Sequence, residues 1–575
     1  MLTPNAQNLK ARAQNLTLGV KTFGFEVSTI ATGLVPLLKS GIVHRGGGLK
    51  SKLKLAEGIV RYGFTAARQI WYAAEVAPER TALIDDMGER TFAEMREDIQ
   101  LFARALMSTG FGKGSRIGVM ARNSRAIIYP LTAKAFIGAD IYLLNPASSP
   151  AQLKKTIEEL GIEVIVIDEE FAGHLPADYP HAQVIIGHAE DLSNPVAPNP
   201  AWPTFQQVID TARELDQAGS EDLPTLPAVP TKGNIVIMSS GTSGTPKAVI
   251  HREPLFPTPV IDLAYMIPWR PFQMLQLTAS MFHSWGWANI NILFAHRCTV
   301  VLRRVFDPVH AMEDVEKYKI NGIITSPIFV KEQLKVAQKG NYDHSHVEFI
   351  VSSGNAMHED LIRGLNKQFG EVTVNFYGST ENSVCAVATK EELAKDPALA
   401  GRPVSGVRVK ILDDEGNELP PNTPGRIYCR GIMTMRRYAN ERDKMKIKHG
   451  LLEIGDRGYL DDRGNLYVLG RADDMIIVGG ENVYPRSVEE VLAPMPGIKD
   501  LYARGVDDEQ TFKRLAVWLV REDSPEGEAL TQESVQEWVR NELAEHSVPR
   551  DVVFMDRLPR NPTGKVMPRH LPPSR

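Results

Sequence analysis

Short apolar runs alternate with amphipathic stretches from about Thr81 onward. The first part of this pattern predicts a strand hairpin over residues 81–92, a helix to about residue 107, strands at 117–120, 141–144 and 163–167, and helices at 125–137 and 150–160. Strands that alternate with helices of this length are typical of layered α/β folds with parallel strands. The pattern therefore predicts the α/β fold class.

The alternation resumes after residue 298 and leads to two polar tips. It predicts strands at 299–302, 322–325, 347–351 and 372–376, and helices at 308–318, 328–337 and 359–368. The polar tips, residues 352–356 and 377–381, directly follow the last two strands. Open α/β sheets bind ligands at the carboxyl ends of their strands, so both tips are candidate binding sites.

The two ends of the chain differ from this middle part. The last hundred residues predict a small α+β domain, with strands at 474–478 and 515–520 and helices at 487–492 and 533–543. Residues 1–75 carry ten Lys or Arg against three Glu, with apolar residues at near-helical spacing. Such basic amphipathic helices can lie on an anionic membrane surface. They can equally pack on the main domain and turn a basic face to solvent.

A loop rich in Gly, Ser and Thr joins two short apolar runs at residues 235–251. It reads SSGTSGTPK from Ser239 to Lys247. Glycines let backbone N–H groups approach an anion closely, hydroxyls add donors, and Lys247 adds a positive charge. The spacing is not that of a Walker A loop, which also leads into a helix. The loop is therefore a candidate phosphate site, with a flexible surface hairpin as the alternative.

Composition narrows the possible classes of function. The 575 residues are too many for one core, so at least two domains are expected. The net charge of −5 gives no reason to expect a nucleic acid partner. Three widely spaced cysteines favour a reducing compartment. No signal peptide or apolar run of about 18 residues is evident, so we expect a cytoplasmic protein without a membrane span. The oligomeric state stays open.

The tract SSGTSGTPK closely resembles the phosphate loop of the adenylate-forming enzymes: acyl-CoA synthetases, luciferases and peptide-synthetase adenylation domains. Further tracts resemble family motifs in the family's order: MFH at 281–283, YGSTE at 377–381, GRIYCRG at 425–431, GD at 455–456, GRAD at 470–473 and PTGK at 562–565. The resemblance implies a large AMP-binding domain over residues 76–472, a small mobile α+β lid over 473–575, and an N-terminal extension, 1–75, that it does not cover.

The resemblance also implies a set of ATP/AMP-binding residues: Ser239, Ser240, Gly241, Thr242, Ser243, Gly244, Lys247, Ser353, Gly354, Asn355, Asn375, Tyr377, Gly378, Thr380, Asp456 and Arg471. Within it, Tyr377 stacks on adenine, Thr380 touches phosphate and Asp456 binds the ribose. Glu381 binds Mg²⁺, which prefers carboxylate oxygen. Ser353, Gly354 and Asn355 stand where the family usually has a Gly-Ala-Pro tract, and the proline is absent, so only backbone contacts carry over at that tip.

The implied activity is a two-step ligation with ATP, Mg²⁺ and coenzyme A. A carboxylate attacks the α-phosphorus of ATP to give an acyl-adenylate, and the CoA thiol then displaces AMP. Lys565, Thr242 and Glu381 are the implied catalytic residues, and Asp473 is the hinge of the lid. The implied CoA-binding residues are Gly479, Gly480 and Glu481.

The acid itself is less clearly indicated. His283, Trp285 and Trp287 follow the MFH tract and are predicted to line the acyl pocket, with an aromatic helix start as the alternative. Peptide-synthetase domains usually carry an Asp near this position, and its absence disfavours an amino acid. We expect a medium- or long-chain fatty acid. The alternatives are an aromatic or short branched acid, an acyl-AMP ligase that loads a carrier protein, and a non-catalytic nucleotide-binding homologue.

Overall fold

The computed structural model describes residues 41–42, 48–146, 148–191, 195–239, 247–251, 263, 266–439, 444–472, 476–478, 481–508, 512–543, 547–561 and 564–574. Several predicted positions lie outside these described residues: Ser240, Gly241, Thr242, Ser243 and Gly244 of the phosphate loop, the hinge residue Asp473, and Gly479 and Gly480. The side chains of Ser239 and Glu481 lie outside them as well.

The helices of the described chain are α1 (Gly48–Tyr62), α2 (Ala66–Val76), α3 (Phe92–Ser108), α4 (Arg125–Ile137), α5 (Pro150–Leu160), α6 (Glu169–Ala172), α7 (Phe205–Gln217), α8 (Ser284–Ala295), α9 (Pro308–Lys317), α10 (Pro327–Lys339), α11 (Glu359–Phe369), α12 (Lys390–Lys395), α13 (Pro485–Leu492), α14 (Pro525–Glu528) and α15 (Gln532–Glu542). A single 3₁₀ turn covers Pro568–His570.

The strands are β1 (Thr81–Asp85), β2 (Gly88–Thr91), β3 (Arg116–Met120), β4 (Asp140–Leu143), β5 (Val164–Ile167), β6 (Gln183–Ile186), β7 (Ile235–Ser239), β8 (Lys247–His251), β9 (Met274–Leu277), β10 (Thr299–Val301), β11 (Gly322–Thr325), β12 (Phe349–Ser352), β13 (Thr373–Ser379), β14 (Ser383–Ala388), β15 (Arg402–Pro403), β16 (Val407–Leu412), β17 (Gly425–Gly431), β18 (Arg437–Tyr438), β19 (Ile447–Lys448), β20 (Leu451–Leu460), β21 (Leu466–Arg471), β22 (Ile476–Val478), β23 (Glu481–Val483), β24 (Ile498–Asp508), β25 (Phe512–Arg521) and β26 (Asp551–Phe554).

Two large sheets form the body of the molecule, and their inner strands are parallel. One has the order β15-β14-β13-β12-β11-β9-β10-β1-β2, and the other β18-β8-β7-β4-β3-β5-β6. Strands such as β5, whose sequence VIVI is buried at every position, read as continuous apolar runs because helices cover both faces. The sheets confirm the predicted α/β class, and β7 and β8, the two short apolar runs on either side of the candidate phosphate loop, pair antiparallel.

Local sequence signals explain where the connecting helices begin and end. Thr91 and Glu94 form a capping box at the start of α3. Ser149 and Gln152 form another at the start of α5, which has Pro150 at its first position and ends at Gly161 with φ of 59°. These signals set the ends of the helices that connect β2 to β3 and β4 to β5.

Smaller sheets complete the fold. A five-stranded sheet joins β16, β17, β20 and β19, with β21 paired to β20. Towards the C-terminus, β24, β25 and β26 form a three-stranded sheet that packs with α13 and α15, while β22 and β23 form a separate hairpin. The predicted strand at 515–520 is part of β25. The sequence pattern missed the eleven-residue β24.

The first two helices differ in their surroundings. α2 packs against α8, and nine of its eleven residues are buried, so this part of the basic extension is a core helix. On α1, Leu49, Leu53 and Val60 are exposed beside Lys50 and Lys52. This exposed face leaves membrane contact as a prediction. In the described part of the chain, no helix is both long and apolar enough to cross a bilayer.

Candidate active site

A cavity of about 1710 Å³ lies between the large sheets and the C-terminal elements. Most of the predicted site residues that the structure describes line it: His283, Trp285, Trp287, Ser353, Gly354, Asn355, Asn375, Tyr377, Gly378, Thr380, Glu381, Asp456, Arg471 and Lys565. Both polar tips contribute, because Ser352 of β12 pairs with Asn375 of the parallel β13. The structure therefore brings motifs from two sheets and the C-terminal segment to one cavity.

Asp456 is held between two predicted nucleotide-binding residues. The Tyr377 hydroxyl donates to Asp456 Oδ2 at 2.6 Å, and Arg471 Nη1 donates to Oδ1 at 3.2 Å. Strands β20 and β21 place Asp456 directly opposite Arg471. Burial and the nearby Asp456 carboxylate hold the pKa of Tyr377 well above its usual value, so the phenol keeps its proton and donates. These contacts fix the carboxylate in one orientation.

The glycine before Asp456 is required by this geometry. Gly455 has a φ of 89°, a left-handed conformation that favours glycine. A Cβ at Gly455 would lie 2.8 Å from Arg471 Nη2. The Gly-Asp pair of the motif therefore has a steric reason as well as a chemical one.

Lys247 and Glu381 are linked through Tyr438, which the sequence analysis missed. The Tyr438 hydroxyl donates to Glu381 Oε1 at 3.3 Å, and Lys247 Nζ lies 5.3 Å from the centre of the Tyr438 ring. Tyr438 pairs with Val249 because the two-residue β18 extends the sheet beyond β8. A strand this short leaves no periodic signal in the sequence, so Tyr438 was not recognisable there.

His251 is a second residue of this region that the motifs did not indicate. It ends β8, and its buried ring contacts the backbone of Thr380 and Met433. Burial lowers the pKa of His251 to about 4, so the ring is neutral at physiological pH. His251 thereby joins the strand after the phosphate loop to the tip that carries Thr380 and Glu381.

The three predicted acyl-pocket residues cluster at the start of α8. His283 precedes the helix, and burial lowers its pKa to about 4. Trp285 Nε1 donates to the Thr325 carbonyl at 2.8 Å, and its ring lies 4.6 Å from that of Phe376. In contrast, His283 Nε2 and Trp287 Nε1 are buried without a hydrogen-bond partner. Trp285 is thus fixed by the core, whereas each of the other two has a buried ring nitrogen without a hydrogen-bond partner.

Lys565 lies on the C-terminal wall of the cavity with an exposed side chain. Its backbone N–H donates to Asn561 Oδ1 at 2.8 Å, and its carbonyl accepts from the Asn561 N–H at 2.8 Å. Arg560 stabilises the turn through three bonds to Asp500, from Nη2 to the two carboxylate oxygens at 2.8 and 2.9 Å and from Nε to Oδ2 at 3.2 Å, and one bond to the Gly564 carbonyl. The backbone around Lys565 is therefore well defined.

Two contacts join the C-terminal elements to the rest of the molecule. Lys331 Nζ of α10 donates to the Lys499 carbonyl at 3.1 Å, and Arg486 Nη1 donates to the Val468 carbonyl at 3.0 Å. His358, at the start of α11, is buried near this junction. Burial, with Arg486 and Lys331 nearby, lowers its pKa to about 4.

Of the predicted CoA-binding residues, the structure describes only the backbone of Glu481, which pairs with Val478 in the β22–β23 hairpin.

Comparison with known proteins identifies the family. The AMP-binding enzyme family model matches residues 70–439, and the model of the AMP-binding enzyme C-terminal domain matches residues 487–565. The first of these covers well over half of the chain. The two matches also agree with the presence of a large and a small α/β part.

Individual relatives span nearly the whole chain. The 2-succinylbenzoate–CoA ligase of Bacillus anthracis (strain A0248) is 27% identical over 504 residues, which cover 87% of this chain and 96% of that protein. The 3-hydroxybenzoate–CoA ligase of Aromatoleum sp. (strain CIB) is 27% identical over 500 residues, covering 86% and 93%. The solved structure of o-succinylbenzoate CoA synthetase from Bacillus subtilis with its acyl-adenylate has a TM-score of 0.74 at 24% identity, covering 88% and 98%.

The names of these relatives favour an aromatic acid, the alternative of the sequence analysis, over the expected fatty acid. Adenylate-forming CoA ligases use ATP, Mg²⁺ and CoA, the three small molecules that the motifs predict. The recognition from short motifs and the predicted fold class are both confirmed. This chain belongs to the AMP-binding enzyme family, the adenylate-forming enzymes.

Proposed function

We propose that this protein is an AMP-forming acid–CoA ligase that activates an aromatic carboxylic acid. The observation that carries the proposal is the convergence of Asp456, Tyr377, Arg471, Glu381 and Lys565 on one cavity. A purely structural cavity has no need for carboxylates and cations drawn from so many separate elements. The names of the relatives supply the class of acid.

In this proposal the network around Asp456 binds the nucleoside. A carboxylate held by Tyr377 and Arg471 keeps lone pairs for the two ribose hydroxyls, and hydrogen bonds to a charged acceptor are the strong ones. Ser353, Gly354 and Asn355 would line the base through their backbone. Asn375, Gly378 and Thr380 would complete the nucleotide site.

The phosphate end of the site would consist of the loop from Ser239 to Lys247, together with Glu381. Glu381 fits a Mg²⁺ ion bound to ATP, because Mg²⁺ on nucleotides takes one or two carboxylates and fills its shell with phosphate and water. Among the described residues, no cluster of three or more His, Cys, Asp or Glu side chains could hold a metal by itself. The carboxylate would orient the phosphates, and Lys247 would offset their charge.

Lys565 would act in the first step. As the acid's carboxylate attacks the α-phosphorus, the P–O bond to pyrophosphate breaks and negative charge builds on the phosphoryl oxygens. A fixed ammonium group at that point stabilises the transition state, and losing one such donor costs about 10²–10³-fold in rate. Thr242 of the phosphate loop would donate its hydroxyl to the same group.

In the second step the CoA thiol, losing its proton, attacks the acyl carbon and AMP leaves. We place the hinge at Asp473, between a large domain of residues 76–472 and a lid of residues 473–575. Rotation of the lid would withdraw Lys565 and bring Gly479, Gly480 and Glu481 to the cavity. Domain closure of this kind commonly gates enzymatic steps.

The residues of the cavity around α8 favour a rigid, polar acid over a plain alkyl chain as the substrate. His283 Nε2, Trp287 Nε1 and Asn289 Oδ1 are all buried without a partner in residues that line the cavity. An acid that carries polar groups can bond these atoms once the wall adjusts around it, whereas an alkyl chain cannot. The rings of Trp285 and Phe376 offer a flat surface on which an aromatic acid can stack.

Acid-dependent ATP–pyrophosphate exchange tests the proposal. The panel would contain benzoic, 3-hydroxybenzoic and phenylacetic acids, together with decanoic and hexadecanoic acids. We expect exchange with an aromatic acid, and an acyl-CoA thioester in the mass spectrum once CoA is added. Exchange with the alkanoic acids alone would contradict the aromatic assignment, and an acyl-adenylate that CoA leaves unchanged would contradict the ligase assignment.

A further inference from the structure

Arg68 is a buried cation on the wall of the same cavity. It lies on α2 and is only 2% exposed. Its guanidinium group has five N–H donors. Nη2 donates to Gln69 Oε1 at 2.5 Å, the group lies 5.1 Å from the centre of the Phe64 ring, and Nε is buried without a partner. Most of its capacity to bind an anion is therefore unused.

Acidic side chains do not neutralise Arg68 within the described chain. None of the ion pairs there includes it, and the charged side chain that lies close enough to shift its pKa is a second cation, Arg297. The Arg297 guanidinium group donates hydrogen bonds to three backbone carbonyls, at 3.0 Å to Ile42, 3.0 Å to Ala295 and 2.5 Å to Gly41. Burial, with Arg297 nearby, lowers the pKa of Arg68 to about 10. Unpaired buried charges are costly, so proteins rarely keep them without a partner.

Arg68 lies at the end of the cavity opposite to the nucleotide residues. His283 precedes α8 and Arg297 follows it, with Arg297 bonded to the last residue of the helix, Ala295. The twelve residues of α8 span about 18 Å at 1.5 Å per residue. His283, Trp287, Ala295 and Arg68 all line the cavity. An acid whose reacting carboxylate lies near His283 therefore extends along α8 towards Arg68.

We propose that Arg68 binds a second carboxylate at the far end of the acid, so that the substrate is a dicarboxylic acid of which only one carboxylate is activated. The inference rests on the proposed function and names the substrate class of that site. A guanidinium group pairs with a carboxylate through two parallel hydrogen bonds. A pocket built to bond a polar group strongly rejects the analogue that lacks it. Arg68 would therefore determine specificity from a helix that begins before the matched family region.

The test compares diacids with their monomethyl esters, which keep the shape but lose one charge. The probes are terephthalic acid, biphenyl dicarboxylic acid and dodecanedioic acid, which differ in length. Binding to the ATP-free enzyme is measured by calorimetry, and adenylation by pyrophosphate exchange. At least one diacid is expected to bind roughly 10- to 100-fold more tightly than its ester, the range for hydrogen bonds to a charged group.

Variants then assign that preference to Arg68. In Arg68→Met the preference for the diacid should fall to about one, and Arg68→Lys should restore part of it. Arg96→Met is the matched control, because Arg96 is a partly exposed arginine paired with Glu75. It should keep the full preference.

The outcomes separate this inference from the proposed function. If the wild-type protein binds none of the three diacids more tightly than its ester, or if Arg68→Met keeps the preference, Arg68 does not bind a second carboxylate. Diacid binding that depends on Arg68 but is never followed by pyrophosphate exchange would uphold the inference and overturn the ligase. Exchange with benzoic acid but without any diacid preference would do the reverse.

Discussion

The charged side chains at the two ends of the cavity differ in whether the protein supplies them with a charged partner. At the nucleotide end, Asp456 is bonded to Tyr377 and Arg471. At the far end, Arg68 is buried without a carboxylate in the described chain, although the protein shows elsewhere how a buried arginine is satisfied. Arg125, 1% exposed, donates Nη2 and Nε to the two oxygens of Asp85, at 2.6 and 3.1 Å. The Arg125–Asp85 pair thus stabilises the fold, whereas the Arg68 guanidinium group, which has no carboxylate partner in the described chain, is available to a ligand.

The largest expected effect is the difference in the free energy of unfolding between variants that lack one or the other buried arginine. Breaking a buried ion pair leaves its partner uncompensated, so Arg125→Met is expected to lower the free energy of unfolding by about 3–5 kcal/mol. Arg68→Met removes a charge that has no ion-pair partner among the described residues, and should leave that free energy unchanged or raise it. Urea unfolding, followed by circular dichroism without any acid present, measures both. A loss in Arg68→Met as large as that in Arg125→Met would show that Arg68 is structural.

Lys565→Ala tests the reacting centre between the two ends. Loss of the ammonium group is expected to slow adenylation by about 10²–10³-fold. The transfer of a supplied acyl-adenylate to CoA should be much less affected, because Lys565 belongs to the first step. Single-turnover measurements separate the two steps. Equal losses in both would contradict the role assigned to the lysine.

Asp456→Ala tests the paired end. It removes a charged acceptor, so the KM for ATP should rise by roughly 10- to 100-fold, with a smaller effect on the KM for the acid. Asp462→Ala, an exposed carboxylate in the turn that follows β20, is the control and should change neither. Steady-state pyrophosphate exchange gives both constants. An unchanged KM for ATP would place the nucleotide elsewhere.

The histidines provide the smallest effect. Burial lowers the pKa of His283 to about 4, below the ordinary value of 6.5. Between these values the unfolded chain binds more protons than the folded one, so stability is complete above pH 6.5 and falls as the pH drops towards 4. At pH 5.5 this single group should cost about 1 kcal/mol. His283→Gln should reduce the acid sensitivity by that amount in unfolding at pH 7.5 and 5.5, and an unchanged sensitivity would mean that His283 protonates normally.

The sequence was informative where the chemistry lies in contiguous motifs. The tracts YGSTE, GD and GRAD each place their key residue beside glycines or strand ends, and all three meet at the cavity. The alternating pattern likewise predicted the strands whose carboxyl ends form this edge. The motifs and the alternating pattern are set by residues close together in the sequence, so a single sequence is enough to recognise them.

Residues that depend on distant neighbours were not predictable in the same way. Arg68 was counted as one of several basic residues on an amphipathic helix, and only the packing of α2 against α8 reveals that it is buried. Tyr438 lies in a two-residue strand whose partner, β8, is nearly two hundred residues earlier in the chain. The sequence also could not choose between the expected fatty acid and the aromatic alternative that the names of the relatives favour, because two tryptophans do not distinguish an alkyl from an aromatic acid.

The most direct single measurement is a crystal structure with a non-hydrolysable acyl-adenylate analogue made from the preferred diacid. We expect the ribose hydroxyls to bind the Asp456 carboxylate, the acyl group to lie alongside α8, and the free carboxylate to pair with the Arg68 guanidinium group. A nucleotide bound away from Asp456, or a free carboxylate directed to solvent while Arg68 keeps only its bond to Gln69, would contradict it.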